Sequence, residues 1–222
     1  MAEKVFRRGR LVAIDGSRGK DVSRAADALA GRLRRRGVEC VISRWDASGL
    51  FGELAQAGRP GLQVSPRTLS LVYAADLAFR LRWEIRTAIE TGGLVIAAPY
   101  VETAVAFAAA CGLPEGWLRD LLRFAPAPDL RGIVRDRKNE RGWKARLDRG
   151  YAEYGAALFE DAMPDFESKA TRHAMIEALG AARGRKVFQL SGKGIEQATR
   201  AIIGSRPAAP SRPVSRRRNE RK

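Results

Sequence analysis

Leu11-Val12-Ala13-Ile14-Asp15-Gly16-Ser17-Arg18-Gly19-Lys20-Asp21 decides how this chain is read. Four apolar residues end in a Gly/Ser turn, a lysine follows, and a helical pattern begins. The order is strand, tight loop, helix. In that layout consecutive backbone N–H groups and a helix N-terminus face an anion, and the lysine adds a point charge. The standard spacing is G-x-x-x-x-G-K-[ST], and here it is altered. Counting back from Gly19-Lys20, the first glycine position holds Ile14, or Ala13 if Arg18 is an insertion. The hydroxyl residue that holds Mg²⁺ in the standard loop is replaced by Asp21.

Outward from this loop the elements alternate. Val22, Ala25, Ala26, Leu29, Ala30 and Leu33 fall on one helical face, and Gly37 caps the segment Val22 to Arg36. Val38 to Ser43 reads as a second strand, so the first 43 residues hold a βαβ unit. A short helix is expected from Leu50 to Ala57. Pro66 opens a long helix to about Thr91, stopped by Gly92-Gly93. Leu94 to Ala98 is a third strand, Glu102 to Cys111 and Glu115 to Phe124 are helices, and Leu130 to Val134 is a fourth strand. Helices at 151–162 and 166–182, a strand Arg185 to Leu190 and a helix Ile195 to Ile203 complete the order. Continuous apolar strands separated by helices predict an α/β fold, a parallel five-stranded sheet with helices on both faces. Residues 1–204 are expected to form one domain, with a lid at about 135–165.

The chain has 222 residues and a net charge of +16. Residues 205–222 carry seven basic residues and one acidic, net +6, which leaves +10 for the remainder. Pro and Arg alternate there without apolar periodicity, so a disordered basic tail is expected. The surplus favours polyanions, nucleic acid among them, with solvated surface arginines as the alternative reading. No apolar run approaches the roughly 20 residues that span a bilayer, so no membrane partner is expected. Met1 to Arg10 lacks the apolar centre of a signal peptide. Cys40 and Cys111 lie far apart and His173 is the one histidine, which argues against a zinc site or a disulfide framework. A cytoplasmic protein with reduced thiols is expected.

Taken in order, these landmarks resemble the thymidylate kinase family of P-loop nucleoside monophosphate kinases. Ala13-Ile14-Asp15-Gly16-Ser17-Arg18-Gly19-Lys20 resembles the family loop G-x-D-G-S-G-K with one residue inserted. Ser43-Arg44-Trp45-Asp46-Ala47-Ser48-Gly49 sits where the family has Arg-Glu-Pro-Gly-Gly-Thr, and Leu50 to Leu54 resembles its continuation. Leu71-Val72-Tyr73-Ala74-Ala75-Asp76-Leu77 resembles L-L-F-A-A-D-R, and Gly93 to Tyr100 resembles G-x-x-V-I-x-D-R-Y. Pro128-Asp129-Leu130, the Asp148-Arg149 pair of the lid and Asp165-Phe166 follow in register.

The resemblance implies an ATP-dependent transfer of the γ-phosphoryl group to dTMP, ATP and Mg as cofactors, and a homodimer seamed along Pro66–Thr91. It places Asp15, Gly16, Ser17, Arg18, Gly19, Lys20 and Asp21 around the nucleotides and their phosphates, Asp15 at a position that touches the acceptor sugar, Lys20 and Arg149 in the catalytic machinery, and Arg44 and Tyr73 beside the acceptor. Other roles stay open for several of these residues. Asp15 also suits a turn, Lys20 and Arg44 a solvated surface, Tyr73 the core, and Asp21 the stabilisation of a helix N-terminus. The departures are systematic. The Asp and Arg of D-R-Y are Ala98 and Pro99, and the Arg of A-A-D-R is Leu77. Together with Asp21 they imply a weak or lost reaction, a pseudoenzyme that retains nucleotide binding. The alternative is a non-catalytic nucleic-acid-binding or scaffold protein that uses the basic lid and tail.

Overall fold

A computed structural model describes residues 8–17, 19–50, 53, 65–134, 179 and 187–204, and the backbone alone at Lys20 and Val187. Arg18, Arg149, the lid at 135–165, His173 and the tail lie outside the described residues. So do the helices expected at 151–162 and 166–182, apart from Leu179, and most of the one expected at Leu50 to Ala57.

Among the described residues five strands form one sheet: β1 (Arg10–Gly16), β2 (Val41–Arg44), β3 (Leu94–Ala98), β4 (Leu130–Val134) and β5 (Val187–Gln189). Their order is β2-β3-β1-β4-β5 and every pair is parallel. The helices among the described residues are α1 (Gly19–Arg34), α2 (Pro66–Arg80), α3 (Arg86–Glu90), α4 (Val101–Ala110), α5 (Glu115–Leu121) and α6 (Gly192–Gly204). The apolar runs of β1 and β3 are continuous because both faces of the sheet are covered. Leu11 and Ala13 point to one side, against α2, α4 and α5. Val12 and Ile14 point to the other, against α1 and α6. The expected α/β architecture is what the chain forms.

The long helix expected from Pro66 to Thr91 is one rod with a wide turn inside it. Ser65 caps its start, its Oγ accepting from Thr68 N at 3.1 Å, and Pro66 takes the first turn, where its missing N–H costs nothing. A π-helical turn, Leu81–Ile85, separates α2 from α3, and Arg86 N donates to Leu81 O across it. Such turns carry one extra residue and cluster at functional places. Several boundaries also move, and the helix expected to reach Phe124 ends at Leu121. The second strand starts at Val41 rather than Val38, because residues 38–40 lead into the sheet edge without pairing. The last helix begins at Gly192 rather than Ile195. Gly194 makes this possible, since a Cβ there would lie 1.6 Å from Gln189 O. Only glycine lets α6 pack this closely on the end of β5.

Among the described residues no helix is long and apolar enough to cross a membrane.

Candidate functional site

β1 lies between β3 and β4, and its chain leaves through α1 toward β2 on one side of the sheet. The crevice beyond its carboxyl end is therefore a switch point, where ligands of open α/β sheets bind. β1 ends at Gly16 and α1 begins at Gly19, so two residues, Ser17 and Arg18, connect them.

Asp15 organises this end. It is 2% exposed. Its Oδ1 accepts from Tyr100 N at 2.8 Å, Thr103 N at 3.0 Å and Thr103 Oγ1 at 2.8 Å. Thr103 Oγ1 in turn lies 3.1 Å from Gly16 N, which donates to it. Tyr73 donates its hydroxyl to Tyr100 O. One hydrogen-bonded chain therefore joins α2, the β3–α4 turn, α4 and the loop end of β1. Burial raises the Asp15 carboxyl above its usual range, the bonds from Thr103 and Tyr100 oppose that, and the charge of Glu102 adds to it. Burial likewise raises the Tyr73 and Tyr100 hydroxyls, with Arg80 opposing. These phenols are hydrogen-bonding groups at physiological pH, not bases.

Below Asp15 lies a cavity of about 150 Å³. Its polar lining is Asp15, Tyr100, Glu102, Arg119 and Arg131. Glu102 is buried and bridges two cations, Arg131 Nη1 at 2.5 Å and Arg119 Nη2 at 3.3 Å. Its charge is thereby matched within the fold.

A second polar cluster closes the carboxyl ends of β2 and β3. The Arg80 guanidinium is fully buried. Its Nη2 donates to Ser43 O and to Pro99 O, both at 2.9 Å, and its Nε donates to Ser43 Oγ at 2.9 Å. Ser43 Oγ donates to Glu84 Oε2 at 2.5 Å, from the π-helical turn. Asp76 Oδ1 accepts from Ser48 N at 3.0 Å and Ser48 Oγ at 2.8 Å, which fixes the turn after β2. In that turn Asp46 adopts φ +58°, a left-handed conformation that Asp tolerates better than most residues. Arg80 Nη1 and Asp76 Oδ2 face each other at 4.0 Å, and neither has a hydrogen-bond partner.

The residues expected to form the site fall in three groups. Asp15, Gly16 and Tyr73 belong to the hydrogen-bonded chain above. Tyr73 is 3% exposed, with Trp45 edge-on at 4.4 Å between ring centroids. Ser17, Gly19, Lys20 and Asp21 occupy the turn and the first turn of α1. There Asp21 Oδ1 accepts from Arg24 at 3.3 Å. Arg44 extends along α1, its Nη2 at 2.6 Å from Asp27 Oδ1. Gly16 has no room for a side chain, since a Cβ would lie 2.9 Å from Val22 Cγ2 and 3.2 Å from Val134 Cβ. Its N–H, which a phosphate cradle would offer to an anion, is given to Thr103.

The described residues do not fit a magnesium ion. Mg²⁺ takes one or two carboxylates with near-octahedral geometry. Asp15 is buried with three donors on one oxygen, and Asp21 is held by Arg24. Among the described residues there is also no group of three or more His, Cys, Asp or Glu that could hold a metal ion.

The sequence reading missed Thr103, Tyr100, Arg80 and Glu102 as site residues. Three of them carried a signal. Glu102 and Thr103 are the polar residues of an otherwise apolar helix, and Arg80 stands one turn after Asp76 on the apolar face of α2.

No family model matches this chain. Curated relatives do. A protein of Thermococcus gammatolerans named "Probable thymidylate kinase" is 34% identical over 131 residues, 55% of this chain and 63% of that protein. The "Thymidylate kinase" of Thermomicrobium roseum is 32% identical over 125 residues, 54% of this chain and 60% of that protein. The "Thymidylate kinase" of Xylella fastidiosa strain M12 is 32% identical over 130 residues, 59% of this chain and 60% of that protein. The chain thus covers between 60% and 63% of the length of these relatives. The all-parallel five-stranded sheet agrees with that likeness.

Proposed function

We propose that this chain, a relative of the thymidylate kinases, binds ATP and dTMP at the carboxyl end of its sheet and transfers phosphoryl groups between them slowly or not at all. One observation carries the reading. Leu77 and Ala98, where the resemblance places an acceptor-binding Arg and a metal-centre Asp, are 0% and 1% exposed among apolar atoms. Next to them Pro99 contributes a carbonyl to Arg80 in place of a charged side chain.

In this reading residues 1–204 are one nucleotide-binding unit, with a lid at about 135–165 and the tail outside it. Ser17, Arg18 and the first turn of α1, Gly19 to Asp21, meet the phosphates through backbone N–H groups and the helix dipole, Lys20 adds its charge, and Gly16, its own N–H bonded to Thr103, keeps the turn close to the sheet. Asp15, held by Tyr100 and Thr103, orients the turn. Arg44 and Tyr73 border the acceptor, and Arg149 closes from the lid. Mg²⁺ would neutralise charge on the moving phosphoryl group, and among the described residues Asp15 and Asp21 are already engaged by Thr103, Tyr100 and Arg24. A cytoplasmic location fits two free thiols, of which Cys111 is pushed up to about 11 by burial and is protonated at neutral pH.

Isothermal titration with ATP and with dTMP, in Mg²⁺ and in EDTA, tests the binding half. Both nucleotides are expected to bind, with the same affinity in either buffer. Absence of binding by both overturns the reading, and a large gain in Mg²⁺ overturns the assignment of Asp15 and Asp21.

A homodimer is part of the same proposal. Leu71, Phe79 and Trp83 are exposed by 48%, 39% and 61% along one face of the α2 rod. Apolar area of this kind, next to the Phe79–Trp83 ring contact, suits a second copy of the chain. Light scattering is expected to give a dimer that the double variant Phe79→Lys/Trp83→Lys converts to a monomer. A wild-type monomer at the same concentration contradicts it.

Nucleic-acid binding is the second reading. The net charge of +16 favours it.

A further inference from the structure

We propose that the pole of the molecule opposite the nucleotide crevice is a docking surface for nucleic-acid phosphates, built by Arg32, Arg34, Arg35, Arg36 and Arg200. This surface is independent of the nucleotide reading and lies at the other end of the sheet. α1 starts beside the carboxyl end of β1 and runs back for 16 residues, about 24 Å at 1.5 Å per residue. Its arginines therefore emerge at the amino-terminal edge of the strands. α6 follows β5 in the same sense and ends there too, where Arg10 of β1 donates to Ile202 O at 3.0 Å.

One carboxylate gathers the cluster. Glu196 lies 2.8 Å from Arg32, 2.8 Å from Arg36 and 3.2 Å from Arg200. Arg34 lies 3.7 Å from Glu39. Four of the five guanidinium groups thus pair with two carboxylates, the five arginines and two glutamates sum to +3, and Arg35 is exposed. All five side chains are at least partly open to solvent, Arg200 by 74%. The chain leaves this pole at Gly204 and continues into residues 205–222, which carry +6.

The chemistry favours a phosphate backbone over an acidic protein. Stable protein partners need an apolar or aromatic anchor at the centre of the contact. Among the described residues none of the large exposed hydrophobic residues, Val41, Leu50, Leu71, Phe79, Trp83 and Phe124, stands on α1 or α6, and Val41, which opens β2 next to the Cys40 carbonyl that Arg34 meets, is a single aliphatic side chain rather than an aromatic anchor. Phosphate recognition needs no such anchor. It needs closely set cations that displace counterions, and guanidinium groups add bidentate hydrogen bonds.

The test is fluorescence anisotropy of the full chain with a labelled 20-base-pair DNA duplex and a labelled 20-nucleotide single-stranded RNA, across a salt series, with polyglutamate as competitor. Four proteins are compared: wild type, the triple variant Arg34→Gln/Arg35→Gln/Arg200→Gln, Glu196→Gln, and Glu115→Gln. Wild type is expected to bind at least one nucleic acid, and the two arms say which. The triple variant is expected to bind about tenfold more weakly at 0.1 M salt, its log–log salt slope smaller by about two to three. Its ATP affinity is expected to stay unchanged. Glu196→Gln is expected to bind more tightly than wild type, because it releases three arginines from their shared carboxylate. Glu115→Gln makes the same charge change on α5, across the sheet, and is expected to change nothing. The proposal is overturned if wild type binds neither probe, or if polyglutamate competes as well as unlabelled nucleic acid. It is also overturned if the triple variant keeps the wild-type affinity and slope, or if Glu115→Gln tightens binding as much as Glu196→Gln. Should the triple variant fail to fold by circular dichroism, the contrast between the two glutamate variants decides alone.

Discussion

Arg80→Met is expected to lower the unfolding free energy by about 3–5 kcal/mol, the range for removing one partner of a buried ion pair. Domains of this kind are stable by only about 5–15 kcal/mol, so the change is a large share of the whole. The guanidinium makes three hydrogen bonds from a site with no solvent exposure. Methionine fills much of the volume but leaves Ser43 O and Pro99 O without their donor. It also leaves Asp76, 1% exposed in its side chain, without the cation 4.0 Å away. Urea unfolding reads the loss as a lower midpoint at constant slope. Asp76→Asn/Arg80→Met removes both charges and keeps an acceptor oxygen for Ser48. It is expected to cost less than the sum of the two single changes, which a double-mutant cycle measures. An Arg80→Met protein as stable as wild type would show that the cluster holds β2 and β3 together only weakly.

The second large effect concerns rate. Phosphoryl transfer rests on positioning and on neutralising the charge of the moving group. Losing one stabilising group typically costs about 10²–10³ in rate. Leu77, Ala98 and Pro99 are three replaced positions, and groups that act as a unit do not multiply their losses. Taking about 10³ for the set, and about 1–100 s⁻¹ for ordinary kinases, the proposed reading puts turnover of dTMP with Mg-ATP below about 0.1 s⁻¹. Side-chain burial supports the size of this loss. A leucine packed inside the α2 face does not turn outward to meet a phosphate, and Ala98 is buried on the α1 and α6 side of the sheet. Arg80 is the nearest cation by sequence to the vacated role, yet its bonds point at backbone carbonyls.

Much of the architecture was legible because local signals agreed with one another. β3 and β4 begin and end where expected, since Gly92-Gly93 and Pro99 bracket one apolar run and Pro128-Asp129 opens the other. Pro66 announced its helix, and the continuous apolar runs announced a sheet covered on both faces. What the sequence could not supply was the third dimension of the polar residues. Asp76 and Arg80 sit one turn apart on an apolar face, which signals a buried pair. Their partners, Ser43, Ser48 and Pro99, come from β2 and from the turns that follow β2 and β3, distant in sequence. Tyr73 was readable as aromatic and helical, but its hydrogen bond to Tyr100 O depends on how α2 crosses the β3–α4 turn. Arg44 was readable as a cation at a strand end, and only the packing of α1 over β2 brings it to Asp27. The π-helical turn left no trace in the periodicity, because one extra residue per turn is smaller than the scatter of a mixed apolar pattern.

The eroded phosphate site is tested most directly by coupled ADP release from the full chain, with saturating dTMP and Mg-ATP and chromatographic detection of dTDP. The account predicts dTDP formation below about 0.1 s⁻¹. Steady turnover within the ordinary kinase range of about 1–100 s⁻¹ would contradict it.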